Sequence, residues 1–131
     1  MSRRRVLFLC THNSARSQMA EGLLRHLGGD RFEVMSAGTE ATRVRALAVR
    51  AMEEIGIDIS RHESKTVERY LAQPFDLVVT VCGEAESCPI PPAAKRVLHW
   101  PFPDPSRSDR IETYREVRDE LRRRIERELL A

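Results

Sequence analysis

Aromatic residues are scarce in this 131-residue chain, which carries four Phe, two Tyr and one Trp. Lysine is scarcer, since Lys65 and Lys95 are the only two among 22 basic residues. The arginine excess reads as compositional bias except where a particular Arg falls in a particular motif. Cysteine is limited to Cys10, Cys82 and Cys88. An odd, small set does not fit the disulfide framework of a secreted domain, so these thiols are expected to be catalytic, metal-binding or inert. No run approaches the ~18 apolar residues of a membrane span. Val6–Leu9, after Arg3-Arg4-Arg5, is too short for a signal-peptide core and has no cleavage site behind it. A cytoplasmic protein with no membrane partner is expected. The net charge of +2 lacks the basic excess that marks nucleic-acid binders. Without repeats or low-complexity tracts, residues 1–131 are read as a single domain. No long apolar patch is evident, so a monomer is expected.

The apolar residues that are present fall into alternating patterns. Val6–Leu9 is a continuous run, suited to a strand buried on both faces of a parallel sheet. Met19, Ala20, Leu23, Leu24 and Leu27 follow at helical spacing, and Gly28-Gly29 ends that helix. Phe32–Ala37 reads as a strand closed by Gly38. Ala48, Ala51, Met52 and Ile55 mark a second helix closed by Gly56, and Ser60–Leu71 a loop with a short helix. Leu77–Val81 and Arg96–Leu98 supply two more strands, separated by Pro89, Pro91 and Pro92. Pro101, Pro103 and Pro105 make a loop. Ile111, Tyr114, Val117, Leu121, Ile125 and Leu129 stripe a long last helix whose charges form a solvated face. The fold class is therefore α/β: an open parallel sheet of about four strands flanked by helices. Sites in such sheets form beyond the C-terminal strand ends, which places Cys10 and Cys82 on one edge.

The run Cys10-Thr11-His12-Asn13-Ser14-Ala15-Arg16-Ser17 spans a strand-to-helix turn. Backbone N–H groups and the positive end of the helix dipole favour both a thiolate and a bound tetrahedral anion there. Arg16 is suited to gripping two oxygens of that anion, Ser17 to donating a hydroxyl bond to the sulfur, and Asn13 to holding the loop. His12 is expected to pack or lie in solvent, since a stabilised thiolate needs no base. Downstream, Cys82 and Cys88 lie six positions apart. Two thiols make half a tetrahedral zinc site, and His12, His62 and His99 show no ligand spacing to complete it. A redox pair is favoured, with two unrelated thiols as the plainer reading. Asp104, between Pro103 and Pro105, is either a general acid or a turn device; the Cys10 loop favours the acid.

The segment Cys10–Gly22 resembles the arsenate reductases built on the low-molecular-weight phosphotyrosine phosphatase fold. Ser36-Ala37-Gly38, Gly56–Ser60, the Cys82/Cys88 segment and Phe102–Pro105 resemble the thioredoxin-coupled branch, and the likeness spans nearly the whole chain. It implies arsenate as substrate, with phosphate or sulfate as mimics, bound by residues Thr11, His12, Asn13, Ser14, Ala15, Arg16 and Ser17. It further implies nucleophilic Cys10, acid Asp104, and disulfides passing from Cys10–Cys82 to Cys82–Cys88, with thioredoxin as reductant and no tightly bound cofactor. Ala15 stands where some relatives carry another Cys, which the relay does not need. The Cys82–Cys88 spacing is slightly short beside some relatives. Some also bind potassium through groups matching Asn13, Glu21, Ser36 and an acid at position 65. Lys65 stands there in this chain, so potassium is not expected. The alternative on the same fold is a tyrosine phosphatase using Cys10, Arg16 and Asp104. It leaves Cys82 and Cys88 unexplained and has few aromatic residues to flank a phosphotyrosine. A non-catalytic oxyanion sensor is the reading from another class.

Overall fold

The apolar run after the N-terminal arginines forms β1 (Arg4–Cys10), and its neighbours are drawn in by the same side-chain logic. β2 (Phe32–Gly38) and β3 (Leu77–Thr80) pair with it on either side, and β4 (Val97–His99) extends the β3 edge. All pairings are parallel and the order is β2-β1-β3-β4. This is a computed structural model, and it describes residues 3–83 and 89–130. Three α-helices connect and cover the strands: α1 (Arg16–Gly28), α2 (Ala46–Glu53) and α3 (Ile111–Glu128).

Strand alternation divides the core in two. Val6, Phe8 and Cys10 of β1 face one side, with Leu77 and Val79 of β3. Met19 and Leu23 of α1, Ala48 and Met52 of α2, and Tyr114, Val117 and Leu121 of α3 close that side. Leu7, Leu9, Ala37 and Val78 face the other side. Among the described residues the cover there is a 3₁₀ turn, Val67–Tyr70, with Phe75 and the flanking Ile90 and Ala94. Helices thus flank the sheet unevenly: among the described residues, all three α-helices pack on the Cys10 face.

The second helix ends earlier than its apolar spacing predicts. α2 stops at Glu53, so Ile55 lies in the turn behind it. Ile57 N donates to Met52 O and Gly56 N to Glu53 O, both at 3.0 Å. This paired closure needs a left-handed residue, which Gly56 supplies at φ +79°. The helix signal thus reaches the closing glycine, while regular geometry stops a turn before it. β3 similarly ends at Thr80, although Val81 N still bonds Leu9 O at 2.8 Å.

Candidate active site

The end of β1 and the start of α1 are joined by five residues, and that loop is braced from β2. Cys10 pairs with Gly38 in register. Thr39 N and Glu40 N then donate to the carbonyls of Cys10 and Thr11, at 3.3 and 2.9 Å. A Cβ at position 38 would sit 2.7 Å from Asn13 N and 2.8 Å from Thr11 O, so glycine is what lets the two backbones meet. Asn13 is the one described non-glycine residue with positive φ, at +48°. Asparagine tolerates this region better than most side chains because its short polar group bonds locally.

Asn13 is fully buried; its Nδ2 donates to Ser17 Oγ at 2.8 Å and to Ser36 Oγ at 3.0 Å. Its Oδ1 accepts from Lys65 N at 2.8 Å and from Gln18 Nε2 at 2.9 Å. Ser17 Oγ lies 2.8 Å from Cys10 Sγ. Cys10 is a buried free thiol at the head of α1, whose N-cap, Ala15, makes no side-chain cap. Ser14 O accepts from Arg45 N at 2.9 Å, which ties the loop to the start of α2.

Arg16 is 2% exposed, and its guanidinium spans the site. Nη1 donates to Phe102 O at 3.1 Å and approaches Val81 O at 3.5 Å. Nη2 lies 3.9 Å from Asp104 Oδ2. The two readings of Asp104 divide between its oxygens. Oδ1 accepts from Ser106 N and Oγ, at 2.9 and 2.7 Å, capping the 3₁₀ turn Pro105–Arg107, while Oδ2 faces Arg16. Cys82 is disulfide-bonded and buried, with its sulfur 3.7 Å from Leu9 O. The structure therefore brings Cys10, Arg16, Asp104 and Cys82 to one sheet edge. Cys88 lies outside the described residues.

His12 sits at the rim with a 42% exposed side chain, its Nε2 3.6 Å from Glu40. Its carbonyl accepts from Ser64 Oγ at 3.1 Å, so its backbone holds the loop while its ring faces out. His62 is held away from the thiols. It packs against α1, with Nδ1 3.0 Å from Gln18 Oε1 and 3.8 Å from Glu21. Burial holds His62 below the ordinary imidazole range, with Glu21 opposing that effect and Arg25 and Lys65 adding to it. Glu21 is 5% exposed, accepts from Ser36 Oγ at 2.5 Å and meets Arg25 Nη2 at 2.7 Å. Lys65 Nζ stands 3.9 Å from Glu21 Oε1 and donates to Glu63 O at 2.7 Å. Burial lowers the Lys65 pKa, and the charges of Glu21 and Glu63 work against that. Among the described residues, no cluster of His, Cys, Asp and Glu could hold a metal ion.

The residue that sequence reasoning missed is Gln18, fully buried and bonded at both ends of its amide. Its only sequence signal is a polar side chain beside the apolar Met19-Ala20.

The sequence pattern of low molecular weight phosphotyrosine protein phosphatases matches residues 5–131. The arsenate reductase of Halalkalibacterium halodurans is 47% identical over 131 residues, covering 95% of this chain and 94% of that protein. A solved arsenate reductase in its phosphate binding state is 37% identical with a TM-score of 0.85, covering 95% of both chains. The thioredoxin-dependent arsenate reductase of Corynebacterium glutamicum is 34% identical with a TM-score of 0.66, covering 92% of this chain and 59% of that one. A tight loop beginning at a buried thiol, an arginine bridging to the Asp104 loop and these likenesses agree: the chain belongs to the low molecular weight phosphotyrosine protein phosphatase family, in its arsenate reductase branch.

Proposed function

We propose that this protein reduces arsenate to arsenite and passes the resulting oxidation to thioredoxin. The observation that carries the reading is the meeting of Cys10, Arg16, Asp104 and Cys82 at one sheet edge, in a chain 47% identical to an arsenate reductase. Arsenate lies in the loop of residues 11–17, held by backbone N–H groups and the Arg16 guanidinium. The Cys10 thiolate attacks arsenic, and one oxygen leaves as water after taking protons from Asp104 and solvent. Cys82, once reduced, attacks the Cys10 sulfur. A Cys10–Cys82 disulfide forms, the S–As electron pair stays on arsenic, and As(V) becomes As(III), released as arsenite. Cys88 attacks Cys82, regenerating the Cys10 thiolate and moving the disulfide to Cys82–Cys88. The thioredoxin dithiol reduces that bond and is itself oxidised.

Phosphatase chemistry shares the first half of this route, and the family match favours keeping it as the second reading. A phosphatase ends with water attacking phosphorus and has no use for Cys82. The test is arsenate-dependent NADPH oxidation with thioredoxin and its reductase. Cys10→Ser, Cys82→Ser and Cys88→Ser are each expected to reduce turnover at least 100-fold, the loss expected when a nucleophile in a series is removed. Full activity of Cys88→Ser with thioredoxin sinks the three-thiol relay. Aryl-phosphate hydrolysis surviving in Cys82→Ser, with no arsenate turnover in the parent protein, makes the phosphatase the function.

A further inference from the structure

Five side-chain links join Arg25, about two turns along α1 from Gln18, to the Cys10 sulfur, and each has one polarity. A guanidinium only donates, so Arg25 Nη1, 3.3 Å from His62 Nε2, makes that nitrogen an acceptor. The imidazole proton then lies on Nδ1, 3.0 Å from Gln18 Oε1. The Gln18 amide is oriented independently by two carbonyls, which only accept: its Nε2 is 3.1 Å from Asn13 O and 3.0 Å from Glu63 O. That nitrogen also donates to Asn13 Oδ1, and the Lys65 amide, another obligate donor, reaches the same oxygen. Asn13 Nδ2 is thereby turned toward Ser17 and Ser36. Ser36 passes its hydrogen to Glu21. Ser17 receives a hydrogen from Asn13, so its own is left to point at Cys10 Sγ, 2.8 Å away.

We propose that Gln18 is a positioning residue for Cys10: together with the Lys65 amide it holds Asn13 in one amide orientation, which directs the Ser17 hydroxyl onto the sulfur and favours the attacking thiolate. The inference rests on Cys10 being the nucleophile of the proposed function. Gln18 touches neither sulfur nor substrate site, yet it satisfies both oxygens of the one loop residue in the left-handed region. Removing it takes the side-chain donor from Asn13 O and leaves Oδ1 to the Lys65 amide alone, so the orientation of the Asn13 amide loses one of its two donors and a flip becomes less costly. A flipped Asn13 presents Oδ1 to Ser17, takes its hydrogen, and leaves the sulfur without it.

The test follows alkylation of Cys10 by iodoacetamide against pH in the reduced, full-length protein, with the Cys10 peptide quantified by mass spectrometry. This readout uses neither arsenate nor thioredoxin, so its failure is separate from failure of the proposed function. Gln18→Met is expected to move the profile up by about one pH unit, hence about tenfold slower alkylation below the transition. The same substitution on a Ser17→Ala background is expected to add no shift. A folded Gln18→Met protein with an unshifted profile overturns the proposal, because a purely structural role changes stability and not the profile. A shift that persists without the Ser17 hydroxyl also overturns it. If Gln18→Met does not fold, Gln18→Ala removes the same donor without adding bulk, and the same two outcomes decide.

Discussion

Lys65 is the residue at which this chain departs most from what its resemblance implies. Its side chain is 9% exposed and its ammonium faces the buried Glu21 carboxylate, at 3.9 Å. A buried carboxylate needs compensation, and here Lys65 and Arg25 supply two fixed positive charges while Ser36 donates a hydrogen bond. A loose monovalent cation has little charge left to neutralise. Exchanging potassium for sodium is therefore expected to leave turnover and Tm unchanged. Lys65→Ala is expected to lower stability by about 1–3 kcal/mol, the cost of leaving a buried charged group short of a partner. Denaturant titration of both proteins in each salt checks this. A strong rise in turnover or Tm on adding potassium to the parent protein refutes the idea.

At the scale of elements, α2 and α3 are joined by charge as well as by apolar contact. Glu54, just past α2, takes Arg115 Nη2 at 2.6 Å and Arg118 Nη1 at 2.9 Å, and Arg118 also donates to Ala51 O. The Arg115 hydrogen bond, with Arg118 beside it, pulls the Glu54 carboxyl down to about 2. The folded value lies below the unfolded one, so the unfolded chain binds the extra proton. This stabilisation is full above the ordinary carboxylate pKa and is lost as pH falls toward about 2. Glu54→Gln is expected to lower Tm by a few degrees at neutral pH, and the gap to the parent protein closes near pH 2. Thermal melts across that range measure it, and a gap independent of pH rules the linkage out. The elements themselves were legible because their signals are local: a run of apolar residues, a 3.6-residue stripe, a closing glycine. Cys10, Arg16 and Asp104 were legible for a related reason, since each stands in a short segment whose chemistry is local. Gln18 and His62 were not. The two bond each other across 44 residues of sequence, and no short-range pattern marks an amide whose role is to orient another amide. The unequal covering of the two sheet faces was hidden as well, because helical periodicity shows that a face is buried without showing against which side of the sheet.

Across the whole molecule, the candidate site is continuous with the main core. Cys10 and Cys82 belong to the same buried cluster as Phe8, Met19, Leu23, Trp100, Tyr114 and Leu121. Trp100, the only tryptophan, follows β4; it packs 6.4 Å from Phe8 with Arg124 of α3 5.3 Å over its ring. Its fluorescence therefore reports sheet, helix face and site together. A single domain with one dominant core unfolds as a unit. Trp100 fluorescence and far-ultraviolet circular dichroism are thus expected to give coincident midpoints in urea under reducing conditions. The same midpoint is expected for the loss of Cys10 protection from a bulky thiol reagent, since the thiol is 2% exposed in the fold. Sulfate or phosphate binding to the folded loop is expected to raise all three midpoints together, because a ligand held only by the native state stabilises the whole cooperative unit. Separate transitions, or an anion effect on the thiol alone, would mean that the loop opens independently of the sheet that carries it.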